Sequence, residues 1–269
     1  MRISEGITVL VLGWLALTVP AVANEVTVPG DLVVRLAPGT PLAEILQDYQ
    51  LEATGQLGAR PIYLLRAAQD SAVGSTVTAM RDDGRVIYAE PNQVMVEAEG
   101  RKRAVWAIGE PDAYLAQWAP ASIRLDEALT FASGNGVTVA VIDGGVDPDH
   151  PTLASRLVPG YDFVDADADP SEEGIPGNPE YGHGTHVSGL VALSAPGARI
   201  MPLRALDAQG RGTTWALAEA LLWAVDPDGN PRTPDHAAVI NFSVGTRSPT
   251  DLLRHVTRLV SCREEDDDD

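Results

Sequence analysis

"VTVAVID", residues 137–143, runs straight into "GGVDPDHP", residues 144–151. Apart from Thr138 the first stretch is apolar without alternation, which predicts a strand buried on both faces, as in a parallel sheet covered by helices. Asp143 closes the run. A carboxylate at the carboxyl tip of such a strand lies on the sheet's functional edge, and Gly144 and Gly145 allow other groups to approach it. "ARIMPLRAL" (198–206) and "AAVINFSVG" (237–245) read as two more strands of this kind. "HGTHVSGLVAL" (183–193) and "TTWALAEALLWAV" (213–225) fall between them with helical periodicity. "IRLDEALTFA" (123–132) before them and "SPTDLLRHVTRLV" (248–260) after them are also helical. The alternation predicts an α/β fold.

Two histidines open the central helix, in "YGHGTHVSGL" (181–190). His183 and His186, three apart, share one helix face. A zinc pair would set its histidines four apart around a Glu and add a third ligand, and that Glu is absent. A general base needs its imidazole held in one tautomer, which a buried carboxylate accepting from Nδ1 achieves. Asp143 and His183 suit that pairing, whereas His186 packs or hydrogen-bonds locally. An isolated Asp143 would read as a turn cap. The histidine at a helix start downstream favours the paired reading.

Upstream, "DLVVRL" (31–36) and "PIYLLRA" (61–67) read as strands, and "PLAEILQDY" (41–49) as a helix with Pro41 in its first turn. "SAVGSTVTAMRDD" (71–83) is a helix that Ser71 caps, and "VIYAEPNQVMV" (86–96) a strand interrupted at Pro91. With room for a strand in 51–57, the order predicts a small α+β unit with helices on one face. It spans residues 25–98. A polar linker, 99–121, follows with the basic cluster Gly100-Arg101-Lys102-Arg103 at its start, and exposed linkers are where proteases cut. The larger unit covers 122–260.

The first 23 residues read as a secretory signal: an uncharged run from Ile7 to Val19, then Ala21-Val22-Ala23 as the cleavage pattern. Arg2 is offset by Glu5, so an uncleaved anchor is the alternative; after cleavage no membrane contact is expected. The protein is thereby expected to be secreted or periplasmic. Cys262 is the sole cysteine, so no intramolecular disulfide forms. The net charge of −19 excludes a nucleic-acid binder, which needs a basic surface. Residues 261–269 end in "EEDDDD" (264–269), a solvated acidic tail.

"VTVAVIDGGVDPDHP" together with "YGHGTHVSGLVA" resembles the Asp and His motifs of the subtilisin-like serine proteases, the subtilases, in the order that family uses. The resemblance implies a subtilisin-like parallel sheet, with His183 as general base and Asp143 as its orienting partner. "VIYAEPNQVMV" is similar to the end of the family's inhibitory propeptide, which implies that 25–98 is a ferredoxin-like intramolecular chaperone. "LDAQGRGT" resembles the loop that pairs with substrate as an added strand, pointing to Gly210, Arg211 and Gly212. "VINFSVG" resembles the opposite side of the cleft, pointing to Ser243, Val244 and Gly245. Two glycine-bearing edges flanking a cleft suit an extended peptide bound by β-augmentation. Peptide or protein substrates are therefore the expected partners, and no organic cofactor is implied.

The sequence also departs from the family. Subtilases place the nucleophile in a Gly-Thr-Ser motif and draw an oxyanion donor from an Asn, both after the segment matching "NFSVG". The residues after Gly245 contain neither, and none of Ser188, Ser194, Ser243, Ser248 or Ser261 follows a Gly-Thr pair. The expectation is an N-terminal part of a serine endopeptidase, inactive alone. The alternatives are an inhibitor module acting in trans and a degenerate remnant.

The calcium loop after the family's His helix is shortened in "VALSAPGARIMPL", and Thr152 stands where many members carry an Asp ligand. In "YDFVDADADPSEE" (161–173), Asp162, Asp165, Asp167 and Asp169 are similar to a second calcium loop of thermostable subtilases. The loop is not an EF-hand, because Pro170 and Pro176 occupy the required Gly and Glu positions. Calcium and a merely solvated acidic loop stay open as alternatives.

Overall fold

A computed structural model describes residues 26–97, 117–175, 181–230, 232–246 and 248–261. The apolar run 7–19, the basic cluster 100–103, Cys262 and the acidic tail 264–269 lie outside the described residues.

The first half builds β1 (Thr27–Leu36), α1 (Leu42–Tyr49), β2 (Leu51–Gln56), β3 (Ile62–Ala67), α2 (Val73–Arg81) and β4 (Val86–Glu97). The strands pair antiparallel in the order β4-β1-β3-β2. Period-two alternation along β1 sends Leu32, Val34 and Leu36 to one face and Val33 to the other. The first set packs with Ile45 of α1 and Val77 and Met80 of α2. Val33 belongs to a different core, shared with Met95, Trp215 and Leu221. The sheet is thus covered on both faces, and β1 is buried continuously from Asp31 to Val34.

Three local expectations change. Pro91 does not interrupt β4, which runs unbroken through it. Pro91 sits opposite Leu32, where the β1–β4 register shifts, a place that tolerates a residue with no N–H to donate. The cap position of α2 is not at Ser71: residues 70–72 form a 3₁₀ turn and Ala72 stands at the cap without a side-chain bond. Pro41 stands just before α1, at its N-cap, not within its first turn.

The second half contains α3 (Trp118–Ser122), α4 (Leu125–Ala128), β5 (Thr138–Asp143), β6 (Tyr161–Asp162) and α5 (His183–Ser194). It continues with β7 (Arg199–Arg204), β8 (Arg211–Thr213), α6 (Thr214–Val225), β9 (Val239–Phe242), β10 (Val244–Gly245) and α7 (Asp251–Val260). The end of the expected linker is therefore helical. The helix expected over 123–132 shrinks to α4, which starts after Arg124 in left-handed conformation (φ 54). β6-β7-β5-β9 form an all-parallel sheet. Val139 and Val141 of β5 face α5 with Ile200 and Ala192, while Ala140 and Ile142 face α6 with Leu217 and Leu221. Both faces of β5 are buried, as its unbroken apolar run predicts.

The two halves meet along β4. Asn92 Oδ1 accepts from Thr214 Oγ1 (3.0 Å) and from Trp215 N (3.2 Å) at the start of α6. Glu90 accepts from Asp251 N (2.8 Å) and Leu252 N (3.0 Å) at the start of α7. Helix starts leave N–H groups without intrahelical partners, and here a single strand supplies acceptors to two of them. Thr213 and Thr250 add side-chain caps to the same two helices.

Candidate active site

β5 delivers Asp143 to the carboxyl edge of the parallel sheet, where its backbone carbonyl accepts from Ala205 N and Leu206 N beyond the end of β7. Its side chain is 1% exposed. Oδ1 accepts from Gly144 N at 2.8 Å and from Nδ1 of His183, also at 2.8 Å. His183, likewise 1% exposed, is the first residue of α5. Gly182 ahead of it turns the chain at φ 92, a conformation that favours glycine. A Cβ on Gly184 would lie 2.0 Å from the Gly145 carbonyl, so the helix start reaches the loop after Asp143 only because residue 184 has no side chain. His186 is half-buried one turn further in, its N–H bonded to Gly182 O. The structure thus pairs Asp143 with His183. Nδ1–H held by a carboxylate leaves Nε2 as the basic nitrogen, the tautomer that a general base requires.

The residues expected to flank the cleft come together on the two sides of one strand. β8 pairs antiparallel with β4, Val94 opposite Thr213, Met95 opposite Gly212 and Val96 opposite Arg211. β10 pairs with the same strand, Val244 opposite Glu97 and Gly245 opposite Val96. Gly210 makes the turn before β8 at φ 68, its N–H on Asp207 O, and Ser243 links β9 to β10. A Cβ on Gly212 would lie 2.3 Å from Ala205 O, which explains a glycine there. Residues 94–97 thus lie as a strand between β8 and β10, with Met95 fully buried and Val96 exposed.

The acidic loop is organised around a buried arginine. Arg204, 2% exposed at the end of β7, pairs with Asp162, with Asp165 at 2.6 Å and with Glu173 at 2.8 Å. Burial works against the guanidinium's charge, and bonds from Asp165 and Asp162 outweigh it and hold its pKa up. Asp162 Oδ1 accepts from the N–H groups of Val164 and Asp165. Asp167 and Asp169 turn back onto the N–H groups of Asp169 and Ser171. As arranged, the four carboxylates do not gather round one cation. Among the described residues no cluster of three or more His, Cys, Asp or Glu is placed to hold a metal ion.

Several residues with structural roles were not legible beforehand. Arg204 had a signal, a lone charge in an otherwise apolar strand, which must find partners when buried. Glu172 is half-buried in a loop that reads simply as acidic, and nothing local marks it. Glu90, Asn92 and Trp215 owe their roles to contacts made more than a hundred residues away.

A profile of the subtilase family matches residues 134–267. The chain belongs to the subtilase family. It is 34% identical over 194 residues, 68% of this chain and 43% of the relative, to the thermophilic serine proteinase of Bacillus sp. (strain AK1). It is 29% identical over 233 residues, 82% of this chain and 51% of the relative, to the extracellular serine proteinase of Thermus sp. (strain Rt41A). This subtilase chain thus spans about half, or less, of the length of these curated relatives. Fervidolysin from Fervidobacterium pennivorans superposes with a TM-score of 0.64 over 89% of this chain and 39% of that one, at 20% identity, which establishes a shared fold. No described helix is long and apolar enough to cross a membrane.

Proposed function

We propose that this subtilase chain carries the acid–base half of a serine endopeptidase site, with His183 as general base and Asp143 as the carboxylate that orients it and stabilises the imidazolium. The observation that carries the reading is the buried 2.8 Å contact between His183 Nδ1 and Asp143 Oδ1 at the carboxyl edge of a parallel sheet. In peptide-bond hydrolysis Nε2 would take a proton from a serine hydroxyl and return it to the leaving amine. The 269 residues contain no Gly-Thr-Ser sequence to supply that serine, so the chain by itself is inactive in this reading. Extended peptides would bind between Gly210–Gly212 and Ser243–Gly245 by backbone pairing.

Residues 26–97 are read as a propeptide-type inhibitor. The β-α-β-β-α-β order with strands β4-β1-β3-β2 supports a ferredoxin-like unit, and the seating of residues 94–97 between β8 and β10 supports occupation of the substrate cleft. A second reading, inhibition of another protease in trans, is favoured by the unit's separate core around Leu32, Ile45 and Met80. Export through residues 1–23 and a linker over 99–121 belong to the same proposal, supported by a relative that is extracellular. Calcium at the acidic loop would have to compete with Arg204 for Asp162 and Asp165.

The test is a chimera in which residues 134–260 replace the corresponding stretch of the thermophilic serine proteinase of Bacillus. It is expected to hydrolyse casein and to take a serine-directed phosphonate. His183→Ala should lower turnover by about 10⁵–10⁶ and Asp143→Asn by about 10⁴. A folded chimera whose hydrolysis survives His183→Ala sinks the reading. In the full chain, Met95→Asp should open residues 93–97 to added protease, while Val96→Asp should not. Equal resistance in both would remove the cleft-filling role.

A further inference from the structure

The turn that carries His183 has few side chains to hold it. Gly182 and Gly184 flank the histidine, and Gly182, at the cap position of α5, offers no side-chain acceptor. A carboxylate ten residues upstream takes that role. Glu172 Oε1 accepts from Gly182 N at 2.8 Å, and Oε2 accepts from Thr185 Oγ1 at 2.7 Å. Thr185 Oγ1 in turn accepts from Asp147 N at 2.8 Å. The Glu172 backbone is tied to the loop after Asp143 as well: its N–H bonds Val146 O at 3.0 Å, and Val146 N bonds Pro170 O at 3.1 Å. A Cβ on Gly145 would lie 2.9 Å from Glu172 N and Cα. Glu172 therefore joins the loop that follows Asp143 to the helix turn that begins with His183.

We propose that Glu172 is a positioning residue for His183, an inference that rests on the reading of Asp143 and His183 as an acid–base pair. Its carboxylate anchors the first turn of α5 and so sets the imidazole's direction towards Asp143 Oδ1. It also places a second negative charge close to the pair, near enough for the Asp143 charge to work against the ionisation of Glu172. Burial pushes the Glu172 carboxyl up from its ordinary range, so keeping it ionised at neutral pH works against folding. A neutral acceptor would cap the helix without that cost, whereas a charge beside the pair favours the imidazolium that a base must become.

The experiment follows His183 in the full chain by NMR, using its Cε1–H titration and its Nδ1 proton, with a His183→Gln sample to assign the resonances among the five histidines. Asp143→Asn is expected to abolish the hydrogen-bonded Nδ1 proton and lower the titration midpoint. Glu172→Gln, which keeps an acceptor and loses the charge, should lower the midpoint by about half a unit or more and preserve the Nδ1 proton. Glu172→Ala should also broaden or lose that proton. If Glu172→Ala does not fold, Thr185→Val takes its place, with the Nδ1 proton expected to broaden. Should Asp143→Asn leave both signals unchanged, the acid–base reading falls. Should Asp143→Asn change them while Glu172→Gln and the second variant leave them at wild-type values, the positioning role alone is overturned.

Discussion

Trp215, in the first turn of α6, lies against the bare backbone of Gly55 in β2: a Cβ on Gly55 would come within 3.0 Å of its Cζ2. The ring is 6% exposed and sits where β2 shifts register against β3, so the strand's irregularity and the absence of a side chain make room for it. The contact joins the antiparallel sheet of the first half to a helix of the second.

Filling that space should strain the junction. Gly55→Val is expected to destabilise the chain by about 1–3 kcal/mol, the usual result of overpacking. Trp215→Leu in the same chain should recover part of the loss, because the smaller side chain vacates the place that valine needs. Denaturant unfolding of the single and double variants measures the coupling, and strictly additive losses would show that the two residues do not meet.

Glu90 binds the N–H groups of Asp251 and Leu252 and so anchors α7 to β4. Glu90→Ala leaves both donors without that partner and should cost about 1–2 kcal/mol. Glu90→Gln, which keeps one acceptor oxygen, should cost less. Hydrogen exchange at the Leu252 amide reports the cap directly and should accelerate most in the alanine variant.

A pH dependence follows from Glu219 on α6, whose carboxyl burial pushes up to about 7. Its folded value exceeds its unfolded value, so the neutral form is favoured in the folded protein. Its contribution to stability is fully present below about 4.5 and is lost as the pH rises through about 7, a difference of roughly 3 kcal/mol at most. Burial also raises Glu90 and Glu172, which act in the same direction. Glu219→Gln is therefore expected to stabilise the protein at pH 8 and to leave it nearly unchanged at pH 4. Equal effects at both values would contradict a buried, titrating carboxyl.

Arg204 supplies the positive charge of the acidic loop. Arg204→Met strands the buried Asp162 carboxylate and should cost about 3–5 kcal/mol. Millimolar calcium, compared with chelator, is expected to raise the melting temperature of this variant more than that of the wild type, because the ion no longer competes with a guanidinium. An equal shift in both would mean that calcium binds without reference to Arg204, and no shift in either would leave a loop neutralised by Arg204 or by solvent alone.

What the amino-acid sequence by itself determined is local in origin. The unbroken apolar run of β5, the helical period of α5 and α6, and the separate motifs around Asp143 and around His183 each depend on side chains within a few residues of one another. Periodicity and motif spacing record such features directly. Only the tertiary structure decided that β4 continues through Pro91 to fill the space between β8 and β10. It also decided that Arg204 lies among the acidic side chains of 162–173 and that Glu172 holds the turn of His183. Glu90 and Asp251 are 161 positions apart, Thr214 and Asn92 122, and Arg204 and Asp162 42. Their pairing depends on which surfaces the packed sheets bring together. Burial then selects the partners, since a buried charge or an orphaned helix N–H must be satisfied by whatever the fold places beside it.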